Sequence, residues 1–140
     1  MRAIFVSVGL LALALPAVAG DLSAFQAQML SDAQPHLPVK VDAMVTLDAI
    51  SFVGTRIVYH YSVADTLHVD MADYQAARFD VFCDALKGMY TPGELTAIEH
   101  EYGFIDGTKA SVGVSMDECT ATADAERKAF FDFARQMSGQ

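Results

Sequence analysis

The sequence predicts an α+β domain in the order α-β-β-α-β-β-α. About four antiparallel strands carry helices on one face, and one disulfide staples the whole. Three observations lead there. Two stretches alternate apolar and polar residues around turn-forming pairs, Gly54-Thr55 and Asp106-Gly107. A long, heavily apolar helical segment, Met71–Gly88, lies between them. Only two cysteines occur, Cys83 and Cys119.

The chain opens with an export signal. Arg2 gives a positive start, Ile4 to Leu15 is apolar, and Pro16 ends the run. Ala17-Val18-Ala19 then fits the small-x-small cleavage rule of a secretory leader. Cleavage is expected after Ala19, leaving residues 20–140 as one domain. The junction has no lipoprotein cysteine, and no later stretch reaches the length of a membrane span. The expected location is periplasmic or secreted.

Leu22, Phe25, Met29, Leu30 and Ala33 recur at helical spacing, capped by Asp21 or Ser23 and stopped by Pro35. Pro35–Asp42 reads as an extended connector. From Met44 to Val63 a β-hairpin is expected, with a bulge in its first strand. In its second strand Ile57, Tyr59, Tyr61 and Val63 share one face, and Arg56, Val58, His60 and Ser62 the other. Asp70 caps the middle helix. Met71, Tyr74, Ala77, Val81 and Ala85 form its stripe, widened by Phe79, Phe82, Cys83 and Leu86, and Gly88 stands at its expected C-terminus.

Thr91–Glu94 has the form of a capping box, which argues for a helical turn. Beyond it the period is two. Ile98, His100, Tyr102 and Phe104 fall on one face, with Glu99, Glu101 and Gly103 on the other. A second hairpin, about 96–104 with 109–116, is favoured, and a helix through 92–102 is the alternative. Thr122 is the expected cap of a last helix ending near Met137, with Phe130, Phe133, Ala134 and Met137 along its apolar stripe.

Removing Arg2 with the leader leaves 8 basic and 18 acidic side chains, a net charge of about −10. Such a chain repels phosphate backbones, so nucleic acid and anionic membrane surfaces are not expected partners. In an oxidising compartment the isolated Cys83–Cys119 pair is expected to be a disulfide. Free or catalytic thiols are the alternative, but a redox pair would more often be a C-x-x-C, which is absent.

No motif for catalysis stands out. His100-Glu101 could open a zinc-protease helix, but the fourth residue on is Phe104, so the second histidine is missing. There is no G-x-S-x-G elbow, no Gly-rich phosphate loop and no calcium-loop spacing, and no cofactor is expected. His60 and His100 remain weak metal or catalytic candidates if their strands are neighbours. Tyr59, Tyr61, Tyr102 and Phe104 would form a contiguous aromatic patch if the hairpins adjoin. That patch is either core under the helices or a binding face.

The pieces "LPVKVD" (Leu37–Asp42), Thr46-Leu47, Tyr59-His60-Tyr61, Cys83, Tyr102-Gly103-Phe104 with Asp106-Gly107, and "MDEC" ending at Cys119 resemble a group of small exported bacterial α+β domains of mostly unknown function. The resemblance supports the fold and the disulfide and implies no active site. "KGMYTPGE" looks like an insertion relative to that pattern. The expectation from sequence is a non-enzymatic binding or accessory domain for an unknown protein or small ligand. A small hydrolase or metal-binding protein using His60 or His100 is the alternative.

Overall fold

The structure is a computed structural model, and it describes residues 21–139. The expected leader and its cleavage after Ala19 lie outside the described residues. Helix α1 (Ala24–Ala33) is followed by a 3-10 turn and strand β1 (Val39–Lys40). Then come β2 (Val45–Val53), β3 (Arg56–Val63), helix α2 (Met71–Met89), β4 (Ala97–Phe104), β5 (Lys109–Ser115) and helix α3 (Met116–Met137).

The five strands lie in the order β1-β2-β3-β4-β5. Both expected hairpins are present, and the bulge falls at Asp48, where the β2–β3 register shifts between Leu47 and Ala49. The sheet differs from expectation in two ways. The connector before Asp42 adds an edge strand, with Val39 opposite Leu47 and Lys40 opposite Thr46. The seam between the hairpins, β3 against β4, is parallel, so the sheet is mixed rather than antiparallel. The cause is α2. It carries the chain back along the sheet, so β4 starts at the same end as β3, as a β-helix-β crossover requires.

α1 and α2 pack on one face. The core joins Phe52, Ile57, Ile98, Val112 and Val114 of the sheet to Phe82 and Leu86 of α2, with Leu22 and Phe25 at its margin. Leu86 and Leu95 are fully buried. The face of α2 turned inward is that of Phe82, Cys83 and Leu86, whereas Val81 is largely exposed. The expected stripe through Ala77, Val81 and Ala85 is therefore displaced by one residue. Gly88 lies inside the helix, which ends at Met89.

The segment Thr91–Leu95 is a turn closed by a bridge between its first and last residues, not the start of a helix. Glu94 takes the hydroxyl of Ser23 instead of capping Thr91. Ser23 in turn caps α1 in a reciprocal pair with Gln26. β4 runs as a strand, so the helical alternative for 92–102 does not hold.

The last helix begins six residues before the expected Thr122. Ser115, the final residue of β5, is its cap. The Ser115 hydroxyl accepts from the Glu118 N–H, and the Glu118 carboxylate accepts from the Ser115 N–H. Ser115-Met116-Asp117-Glu118 is itself a capping box, masked by the strand alternation that runs into it. The expected disulfide is formed, and it ties α2 to the first turn of α3 rather than to the end of β5.

Candidate functional site

The parallel register sets Tyr59 opposite His100 and Tyr61 opposite Tyr102. All four side chains therefore project from the helix-covered face, because alternate residues of paired strands share a face. Their rings form a zigzag across the seam. His100 stacks on Tyr59 at 5.3 Å and on Tyr61 at 5.7 Å, and Tyr61 stacks on Tyr102 at 5.0 Å. Phe82 of α2 lies over His100 at 5.1 Å. The Tyr61 hydroxyl is 3.1 Å from His100 Nδ1, and the Tyr59 hydroxyl donates to Met89 Sδ at 3.6 Å.

The two ends of this stack differ. Tyr59 and His100 sit against the C-terminal half of α2. All five side chains are half-buried, and Tyr102 and Phe104 meet Met71 and Tyr74 of the first turn of α2. Around Tyr102 and Phe104 an apolar cleft of about 180 Å³ opens, walled by Val45, Val63, Val69, Met71 and Tyr74. The four aromatic residues singled out from sequence are thus contiguous. They are neither wholly core nor a flat surface.

The surroundings set the protonation states. Burial holds His100 below its ordinary pKa, so it is neutral above the usual histidine range. Burial raises Tyr59. Burial, then the neighbouring Tyr59 and Tyr74 phenols, push Tyr61 up to about 12. Burial and the adjacent Tyr74 hydroxyl raise Tyr102 as well. The stack is uncharged at neutral pH and offers hydroxyls and ring faces.

His60 lies on the opposite face. It pairs with Glu101, one step from the Tyr59–His100 pair, so it points away from His100. The strands are neighbours, but the parallel register keeps the two histidines apart and they do not form a common metal site. Among the described residues no cluster of three His, Cys, Asp or Glu side chains is placed to hold a metal ion.

On that open face His60 has partners that sequence reasoning did not anticipate. Its Nε2 is 2.8 Å from the Ser51 hydroxyl on β2, and its Nδ1 is 3.3 Å from a Glu101 carboxylate oxygen on β4. Lys109 approaches the same oxygen at 3.9 Å, and Arg56 pairs with Glu99 at 2.9 Å. The Glu99–Glu101 stripe is therefore paired with cations rather than merely solvated. The order hydroxyl–imidazole–carboxylate is that of a nucleophile relay. Ser51 stands in mid-strand, however, not on the sharp turn that exposes a nucleophile. Its proximity to His60 follows from the unbroken register between the Gly54-Thr55 turn and the bulge, which sets Ser51 opposite Val58 and Ala49 opposite His60.

No family model matches the chain, and no curated protein matches it. Among solved structures, a candidate secreted protein of Pseudomonas aeruginosa is similar, with a TM-score of 0.43 and 10% identity over 68% of this chain and 89% of that one.

Proposed function

We propose that this chain is an exported, non-enzymatic binding domain whose apolar cleft at Tyr102 and Phe104 receives an apolar group. The occupant is a side chain of a protein partner or a small apolar ligand. The observation that carries the proposal is the cleft at the Tyr102–Phe104 end of the aromatic stack. Tyr102 and Phe104 leave ring surface facing a cleft with almost no polar lining. Apolar surface of that kind gains roughly 25 cal/mol per Å² when covered. The leader sequence and the Cys83–Cys119 bond support an oxidising destination. The test is an NMR titration with benzene. Shifts confined to Met71, Tyr74, Tyr102 and Phe104, and abolished by Tyr102→Asp, are expected. Shifts spread over the surface, or none, refute the cleft.

A second reading, a small hydrolase, is favoured by the Ser51–His60–Glu101 geometry alone. In it Ser51 attacks an ester carbonyl, His60 takes the hydroxyl proton and returns it to the departing alcohol as the ester C–O bond breaks, water then releases the acyl group from Ser51, and Glu101 orients the imidazole. Covalent labelling by a fluorophosphonate, lost in Ser51→Ala, would establish it. An unlabelled wild-type protein disposes of it.

A further inference from the structure

The outer half of α3 touches almost nothing. The face that buries Cys119 in the body continues along the helix through Ala123, Phe130, Phe133 and Met137, at steps of four, seven, three and four residues. Past the body that face is bare. Phe130, Phe131, Phe133 and Met137 are 65%, 58%, 60% and 73% exposed. A helix whose apolar stripe overshoots its own core is built to be covered by something else.

Charge singles out the occupant. Residues 123–137 carry three acids, Asp124, Glu126 and Asp132, and three bases, Arg127, Lys128 and Arg135. The formal net charge of −9 therefore lies wholly outside this stretch. Most surfaces of two such acidic molecules repel each other, but these two helices meet without a charge penalty. The stripe is also self-complementary. An antiparallel arrangement sets Phe130 against the partner's Phe133 twice over, about one twofold axis, and brings Glu126 beside the partner's Met137. Phe131 lies on the flank of this stripe, about 100° round the helix from Phe130; covering Phe130, Phe133 and Met137 on each copy removes on the order of 800 Å² in total, the size of a weak, concentration-dependent interface.

We propose that the outer half of α3 pairs with the same segment of a second copy of this chain, forming an antiparallel two-helix interface. The inference is independent of the aromatic cleft, which lies at the other side of α2.

Sedimentation of the purified protein over a hundredfold concentration range tests it. A mass rising to twice that of one chain is expected, and the double variant F130E/F133E should stay at one mass throughout. Its melting temperature at low concentration should equal that of the parent monomer, because the body does not use these rings. Mixing E126C with M137C should give a crosslinked heterodimer, whereas E126C alone should not crosslink. A wild-type monomer at all concentrations overturns the proposal, whether or not it binds lipid vesicles. So does a dimer that survives F130E/F133E, or one crosslinked by E126C alone.

Discussion

At the scale of single residues, Gln26 holds more of the fold together than its type announces. It is 4% exposed, and its amide nitrogen donates to the carbonyls of Gly54 at 2.9 Å and Glu94 at 2.7 Å. One side chain thus ties α1 to the β2–β3 turn and to the loop before β4. Gln26→Ala leaves both carbonyls without this donor and is expected to cost about 1–3 kcal/mol in urea unfolding. Gln28→Ala, which loses only an exposed bond to Asp32, should change stability by less than about 0.5 kcal/mol. No pattern marks Gln26 in the sequence. It stands in the apolar-spaced helix as an ordinary polar residue, and its partners are 28 and 68 positions away.

His100 gives a second prediction at this scale. Its folded pKa lies below the unfolded value of 6.5 because it is buried. Below about pH 6.5 the unfolded chain therefore binds a proton that the folded chain resists. Its contribution to stability is complete above that pH and declines as pH falls toward the folded pKa. His100→Phe keeps a ring in the stack between Tyr59 and Phe82. It should flatten the fall in melting temperature between about pH 6.5 and 5.

At the scale of elements, two glycines behave oppositely. Gly88 is exposed within α2, and an added methyl group there meets nothing within 4 Å. Gly88→Ala should stabilise the protein by about 0.5–1 kcal/mol. Gly113 on β5 has no such room, because a Cβ would come within 2.2 Å of the Ile98 carbonyl oxygen on β4. Gly113→Ala must push the two strands apart and should cost about 1–3 kcal/mol or more. Thermal denaturation of the two variants side by side checks the pair.

The elements themselves were legible where their signal is local. Both hairpins, the bulge and α2 follow from alternation, turn residues and spacing within about 20 positions. Local signals mislead where neighbours compete. Ser115 ends a strand and caps a helix at once, and its second role was hidden by its first. Thr91–Glu94 has a capping pattern, yet Ser23 draws Glu94 away and Leu95 is pulled into the core. The parallel seam and the Ser51–His60–Glu101 line depend on how two hairpins dock, which no segment of the sequence encodes alone. The aromatic patch was readable as a set of residues. The cleft at its Tyr102–Phe104 end is not, because its walls come from Val45, Val63, Val69, Met71 and Tyr74 on other elements.

At the scale of the whole molecule, the Cys83–Cys119 bond closes a 36-residue separation that spans β4 and β5. Chain-entropy arguments assign about 3–4 kcal/mol to a loop of that length. The double variant Cys83→Ala/Cys119→Ala should lose roughly that much in guanidinium unfolding. It should keep its far-ultraviolet circular dichroism at low temperature, because the core beneath α2 remains intact.

β5 passes into α3 with no connecting residue between them. The strand fixes the incoming direction, the Ser115–Glu118 pair locks the first turn, and the bond to α2 holds it from a second side. The protruding arm consequently has no hinge at its root. A flexible tail would surrender its orientational freedom only on meeting a partner, and association would be weaker by that entropy. Here the freedom is already gone when folding ends, so the arm is aimed like a bracket bolted at two points. A force applied at its tip is carried directly into the strand and the central helix.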